Sequence, residues 1–140
     1  MFLLNRKFLV IVGIVLIVAA PSLSRTRRNS KLSAGNWGGM HIVIAVEQDA
    51  ATVAYDCANG TITGPLTIDS RGRFSWRGNF TREGPGPVRE DRPPKGLPAI
   101  YSGSVKSDTM TLTVKLADTK SVLGTFTLKR GNPGRVFKCK

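Results

Sequence analysis

The sequence predicts an all-β fold, a small eight-stranded antiparallel up-and-down barrel closed by one disulfide. Three observations carry this expectation. Apolar and polar residues alternate with period two from Met40 onward, the pattern of half-buried strands, and no stretch after Arg25 has a helical period. The strands are joined by short turns, so a meander can close on itself and leave no exposed edge. Cys57 and Cys139 are the only cysteines. A sandwich of two four-stranded sheets is the alternative that the same strands allow.

The elements follow in order. The first expected strand, Met40 to Glu47, puts Met40, Ile42, Ile44 and Val46 on one face and turns His41, Val43 and Glu47 outward. The second, Thr52 to Cys57, groups Val53, Tyr55 and Cys57, and Asn59-Gly60 supplies a hairpin turn. The third carries Ile62, Gly64, Leu66 and Ile68, with a turn at Asp69 to Gly72. The fourth alternates inward Phe74, Trp76, Gly78 and Phe80 with outward Arg73, Ser75, Arg77 and Asn79. Glu83 to Pro98 then holds five prolines and three glycines and reads as a loop. The fifth strand spans Ala99 to Val105. In the sixth, Met110, Leu112, Val114 and Leu116 alternate with Thr109, Thr111, Thr113 and Lys115. The seventh turns Val122, Gly124, Phe126 and Leu128 inward, and the eighth runs from Arg135 to Cys139.

Ahead of the strands, residues 1–24 read as an export signal: basic Arg6 and Lys7, a 13-residue apolar run from Phe8 to Ala20, then small residues to Ser24. The run is short of the roughly 20 residues a membrane span needs. Arg25, Arg27 and Arg28 just after it oppose translocation, which leaves an uncleaved membrane anchor as the alternative. Residues 25–34 read as a flexible basic leader and residues 35–140 as the barrel domain. A secreted or periplasmic location follows, and there an isolated cysteine pair is expected as a disulfide. In a closed meander Cys57 and Cys139 end strands that flank the first one. The bridge must therefore cross just before it, over Trp37-Gly38-Gly39, where glycines let backbone approach closely.

Arg6 and Lys7 leave with the signal, which takes the net charge from +12 to +10. Such an excess favours an anionic polymer or cell-envelope component as partner. The candidate binding residues are Arg73, Arg77 and Arg82 with Arg89, Arg92 and Lys95 of the proline-rich loop. His41 is the only histidine and lacks partners at catalytic or metal-ligand spacing, and Glu83, Glu90 and Asp91 are interleaved with basic residues. No enzymatic activity, metal or cofactor is expected; the oligomeric state is not legible. A second binding possibility is the barrel interior. Inward Phe74, Trp76, Phe80, Tyr101, Met110 and Phe126 point to a filled core, whereas inward glycines would leave space for a small apolar ligand.

Gly35-Asn36-Trp37 ahead of the first strand resembles the G-x-W start of the calycin-like barrels, lipocalins and avidins. The resemblance implies that Trp37 plugs the closed end and that Arg135 or Arg130 stacks on it, and it implies a carrier role as the alternative function. The chain departs from lipocalins in its shorter strands and in lacking their long helix. Trp37-Gly-Gly-Met-His-Ile, Tyr55-Asp-Cys-Ala-Asn-Gly-Thr-Ile and Met110-Thr-Leu-Thr-Val are similar to a group of uncharacterised small secreted bacterial proteins. Tyr55-Asp-Cys-Ala-Asn-Gly and Tyr101-Ser102 also resemble lysozyme inhibitors of the C type. The positive charge argues against that role, because animal lysozymes are themselves cationic.

Overall fold

Alternating side chains can bury one face of every strand only if the sheet curls onto itself, and in the computed structural model it does. The structure describes residues 28–139; the expected signal segment lies outside the described residues. The strands are β1 (Ser30–Lys31), β2 (Gly35–Gly39), β3 (Ile42–Val46), β4 (Ala50–Tyr55), β5 (Ala58–Thr63), β6 (Thr67–Ile68), β7 (Arg73–Arg82), β8 (Leu97–Lys106), β9 (Thr109–Leu116) and β10 (Val122–Arg130). Eight of them close an antiparallel up-and-down barrel in the order β10-β2-β3-β4-β5-β7-β8-β9, and no helix occurs among the described residues. The barrel excludes the sandwich alternative.

Side chains fill the middle of the barrel. Ile42 and Ile44 of β3, Ile62 of β5, Tyr101 of β8, Leu112 and Val114 of β9 and Leu128 of β10 are fully buried. The inward glycines of β5 and β8 leave no hollow beside them. A Cβ on Gly103 would lie 1.8 Å from the carbonyl oxygen of Thr111 on the neighbouring strand, and one on Gly60 would meet the Tyr101 hydroxyl. One end is shut. β1 pairs with β6 there, and the Leu32 N–H donates to the Leu66 carbonyl at 2.8 Å, so both leucines are buried. The Trp76 indole N–H donates to the Thr67 carbonyl at 2.9 Å. Ser30 and Lys31 thus pair in β1, and Leu32 behind them covers apolar surface at this end.

Several element boundaries differ from the sequence expectation. The eighth barrel strand is β2, not Arg135–Cys139. Gly35–Gly39 looks like a loop by composition, but it pairs along its whole length with β3, Trp37 opposite Ile44. Met40 and His41 form the tight turn that follows, His41 with φ 68°, so Met40 points to solvent. Asn59-Gly60 is not a turn but lies within β5. Tyr55 pairs with Ala58, and the turn falls on Asp56-Cys57, Cys57 with φ 54°. The third expected strand ends at Thr63, where Gly64 (φ 87°) and Pro65 redirect the chain toward the cap. A bulge between Val122 and Gly124 turns Val122 outward and Leu123 inward.

After β10 the chain climbs the outside of the barrel as a strap. It lies directly on β2: a Cβ on Gly38 would be 2.2 Å from the Asn132 carbonyl oxygen, so only glycine permits the crossing. Arg135 then bridges Met40, and Cys139 bonds Cys57 beyond the β2–β3 turn. The disulfide forms at the end where β3 begins, with the strap rather than a barrel strand carrying Cys139.

Candidate functional site

The open end of the barrel is built from the β2–β3 and β4–β5 turns, the loop 83–96 and the start of β10. A cavity of about 180 Å³ there has Tyr55, Ala58, Phe80, Leu123 and Phe126 as its apolar lining and His41, Asp56 and Arg82 at its rim. Tyr55 Oη donates to Tyr101 Oη at 3.0 Å, and Tyr101 Oη donates in turn to the Asn79 carbonyl at 2.7 Å. Burial, then the neighbouring Tyr101, drives the Tyr55 pKa far above the usual phenol value. Tyr101 is raised too, by burial. The cavity is therefore lined by the neutral phenol of Tyr55, with that of Tyr101 bonded behind it. It is smaller than the roughly 300 Å³ at which sites for drug-sized ligands begin.

The rim is latched. His41 Nδ1 bonds the Asp56 carboxylate, whose other oxygen accepts the Phe137 N–H at 2.7 Å. Lys138 Nζ reaches Glu83 Oε1 at 3.1 Å, and Asn59 donates to the same oxygen. The Phe137 N–H, and then His41, hold the Asp56 carboxyl below its usual range. Asn59, then Lys138, do the same for Glu83. Sequence reasoning found no partner for His41. The turn at Asp56-Cys57 supplies one 15 residues away; the signal was Asp56 beside a cysteine that had to be tethered. The His41–Asp56 pair is tied to the strap through the Phe137 N–H.

The six expected binding residues do not gather in one place. Arg73 lies near the closed end, paired with Asp69 at 3.3 Å. The Arg73 and Arg71 N–H groups hold the Asp69 carboxyl low, the Arg73 one most. Arg77 projects from the middle of the outer face of β7. Arg82 has the opposite parity and lines the mouth. Arg89, Arg92 and Lys95 are exposed on the loop 83–96. Of the two arginines expected over Trp37, Arg130 lies there, its guanidinium carbon 5.9 Å from the ring centroid. Arg135 is in the strap beside Met40 instead. Trp37 itself is buried, its Nε1 without a partner among the described residues.

The register of β7 to β10 assembles something the single strands do not show. Ser75, Ser102, Thr113 and Thr125 stand side by side across four strands. Arg73, Ser104, Thr111 and Thr127 form the next row. Above them runs Arg77, Ile100, Lys115 and Val122, and below them Lys106, Thr109 and Lys129. All these side chains face outward, because the intervening Phe74, Trp76, Tyr101, Leu112, Val114 and Leu128 are buried. Short hydroxyls therefore pave a face about four strands, or roughly 15 Å, wide, with cations along both borders. Arg77, Lys106, Lys115 and Lys129 enter no ion pair among the described residues.

These features define a class: a small antiparallel barrel, closed at one end, with an outer strap tied by a disulfide at the rim of its open end and a cation-bordered hydroxyl face. No protein-family model matches the chain, and no curated protein or solved structure does either.

Proposed function

We propose that this chain is an exported, non-enzymatic binding module that holds a linear polyanion, such as an acidic glycan of a cell envelope, along the outer face of β7 to β10. One observation carries the reading: free cations border both sides of a strip of short hydroxyls, Arg77 and Lys115 above, Lys106 and Lys129 below. A polymer lying across such a strip meets hydrogen-bonding groups at its sugar or ester oxygens and a cation at either edge. Small side chains let it approach the backbone closely, and the net charge of the chain draws it in. The export-type segment at residues 1–24 and the Cys57–Cys139 disulfide support an oxidising compartment outside the cytoplasm. The Arg130–Trp37 contact supports the calycin-like reading of the fold family. A carrier role has less support, since the interior is packed and the mouth cavity is small.

The test is titration with a heparin hexasaccharide as probe over a series of salt concentrations. The logarithm of affinity should fall linearly with the logarithm of salt. Arg77→Ala with Lys115→Ala should weaken binding and lower that slope by about one per cation removed, as counterion release requires. An affinity that ignores salt, or one unaffected by this pair of substitutions, overturns the reading.

A further inference from the structure

Every large apolar side chain that is strongly exposed among the described residues lies at the same end of the barrel. They are Met40 (56%), Val88 (71%), Leu97 (39%), Val122 (58%) and Phe137 (53%). Met40 is in the β2–β3 turn, Val88 in the loop 83–96, Leu97 and Val122 are the first residues of β8 and β10, and Phe137 sits beside His41 on the strap. The opposite end, where the chain turns at 47–49, 64–72 and 107–108, exposes none, and the apolar residues there, Leu32 and Leu66, are buried under the β1–β6 ribbon. Scattered apolar residues on a surface need no explanation; segregation of all of them to one pole does.

These five residues come from five separate segments, so they ring the mouth rather than line one groove. A groove would fit a helix or an extended peptide. A ring of tips fits a surface that is itself broad and deformable. Between the tips stand Arg82, Arg89, Arg92, Lys95, Lys120 and Arg135, none of which enters an ion pair among the described residues. Of the five acids at this end, Asp56, Glu83, Glu90, Asp91 and Asp118, the first two are already engaged by the strap. Apolar tips that enter the acyl boundary and cations at headgroup level are the two elements of anchorage to anionic lipid. We infer that the mouth end of the barrel docks on an anionic bilayer, with Met40, Val88, Leu97, Val122 and Phe137 entering its interface and the rim cations meeting its headgroups. This surface meets the hydroxyl face of β7 to β10 only at the bordering row of Val122 and Lys115; the hydroxyl rows themselves lie farther from the mouth and would stay in water.

The test is depth-dependent quenching by brominated lipid, using the full chain with vesicles of phosphatidylcholine and phosphatidylglycerol. The native Trp37 and Trp76 are both buried in the barrel and give the background. Val122→Trp and Phe137→Trp should each show added quenching, at least twofold over that background, and lose it with phosphatidylcholine alone. Thr113→Trp, on the hydroxyl face, should show none. Because position is read directly, membrane contact through another part of the chain does not mimic the result. Should Phe137→Trp disturb the strap, Val122→Trp carries the test alone. No added quenching at position 122 overturns the inference and points to a protein partner for the ring. Quenching at 113 equal to that at 122 overturns it as well, and places the hydroxyl face on the lipid.

Discussion

The backbone N–H of Phe137 donates to the carboxylate of Asp56, 81 residues earlier in the chain, at 2.7 Å. That bond, with His41 on the other carboxylate oxygen and the Cys57–Cys139 disulfide two residues on, ties the strap to the mouth.

Asp56 predicts an acid-sensitive strap. Its folded pKa is depressed, first by the Phe137 N–H and then by His41. The tie is therefore fully present above the ordinary carboxylate pKa of about 3.9 and is lost as pH falls through the lower folded value. The Phe137 amide should lose its protection against hydrogen exchange, relative to the intrinsic rate at each pH, in that acid window, while amides of β3 and β9 stay protected. Asp56→Asn should show the faster exchange at neutral pH already.

The disulfide joins residues 82 apart in sequence, and both cysteines lie outside the eight barrel strands. Reduction, or Cys57→Ser with Cys139→Ser, should cost about 2–4 kcal/mol in urea unfolding, with the β-sheet circular dichroism retained before the transition. Loss of the sheet signal in water would mean that the strap is needed to form the barrel at all.

Both tyrosines of the chain belong to the Tyr55–Tyr101 pair, so phenolate absorbance reads that pair alone. Their pKa values are raised in the folded state. The unfolded chain gives up these protons near pH 10, so stability is whole below that value and falls as pH rises above it. No phenolate signal should precede cooperative unfolding. Tyr101→Phe removes the donor to the Asn79 carbonyl and should cost about 1–3 kcal/mol; Tyr55→Phe should cost less, because Tyr101 keeps its own acceptor.

The barrel was legible in the sequence because alternation reports which residues face inward, and β9 keeps its pattern from Thr109 to Leu116 without a break. Turn positions were less so. Gly35–Gly39 is a strand by pairing alone, since three of its five residues are glycine and only Trp37 carries a large side chain. Asn59-Gly60 has the composition of a turn, yet the inward step of Ala58, Gly60 and Ile62 sets the register and moves the turn to Asp56-Cys57. The candidate site was legible only in part. Arg77 could be placed outward from β7 alone, whereas Arg82, nine residues after Arg73 on the same strand, turns to the mouth by parity. The hydroxyl rows could not be read at all, because their alignment depends on the register of four strands at once.

The most direct test of the proposed polyanion face is a nuclear magnetic resonance footprint of a heparin hexasaccharide on the folded protein. The account predicts shifts at the amides of Ser75, Ser102, Thr113 and Thr125 and at their bordering Arg77 and Lys115, with the loop 83–96 little changed. Shifts confined to that loop, or to Tyr55, Phe80 and Phe126 at the mouth, would contradict it.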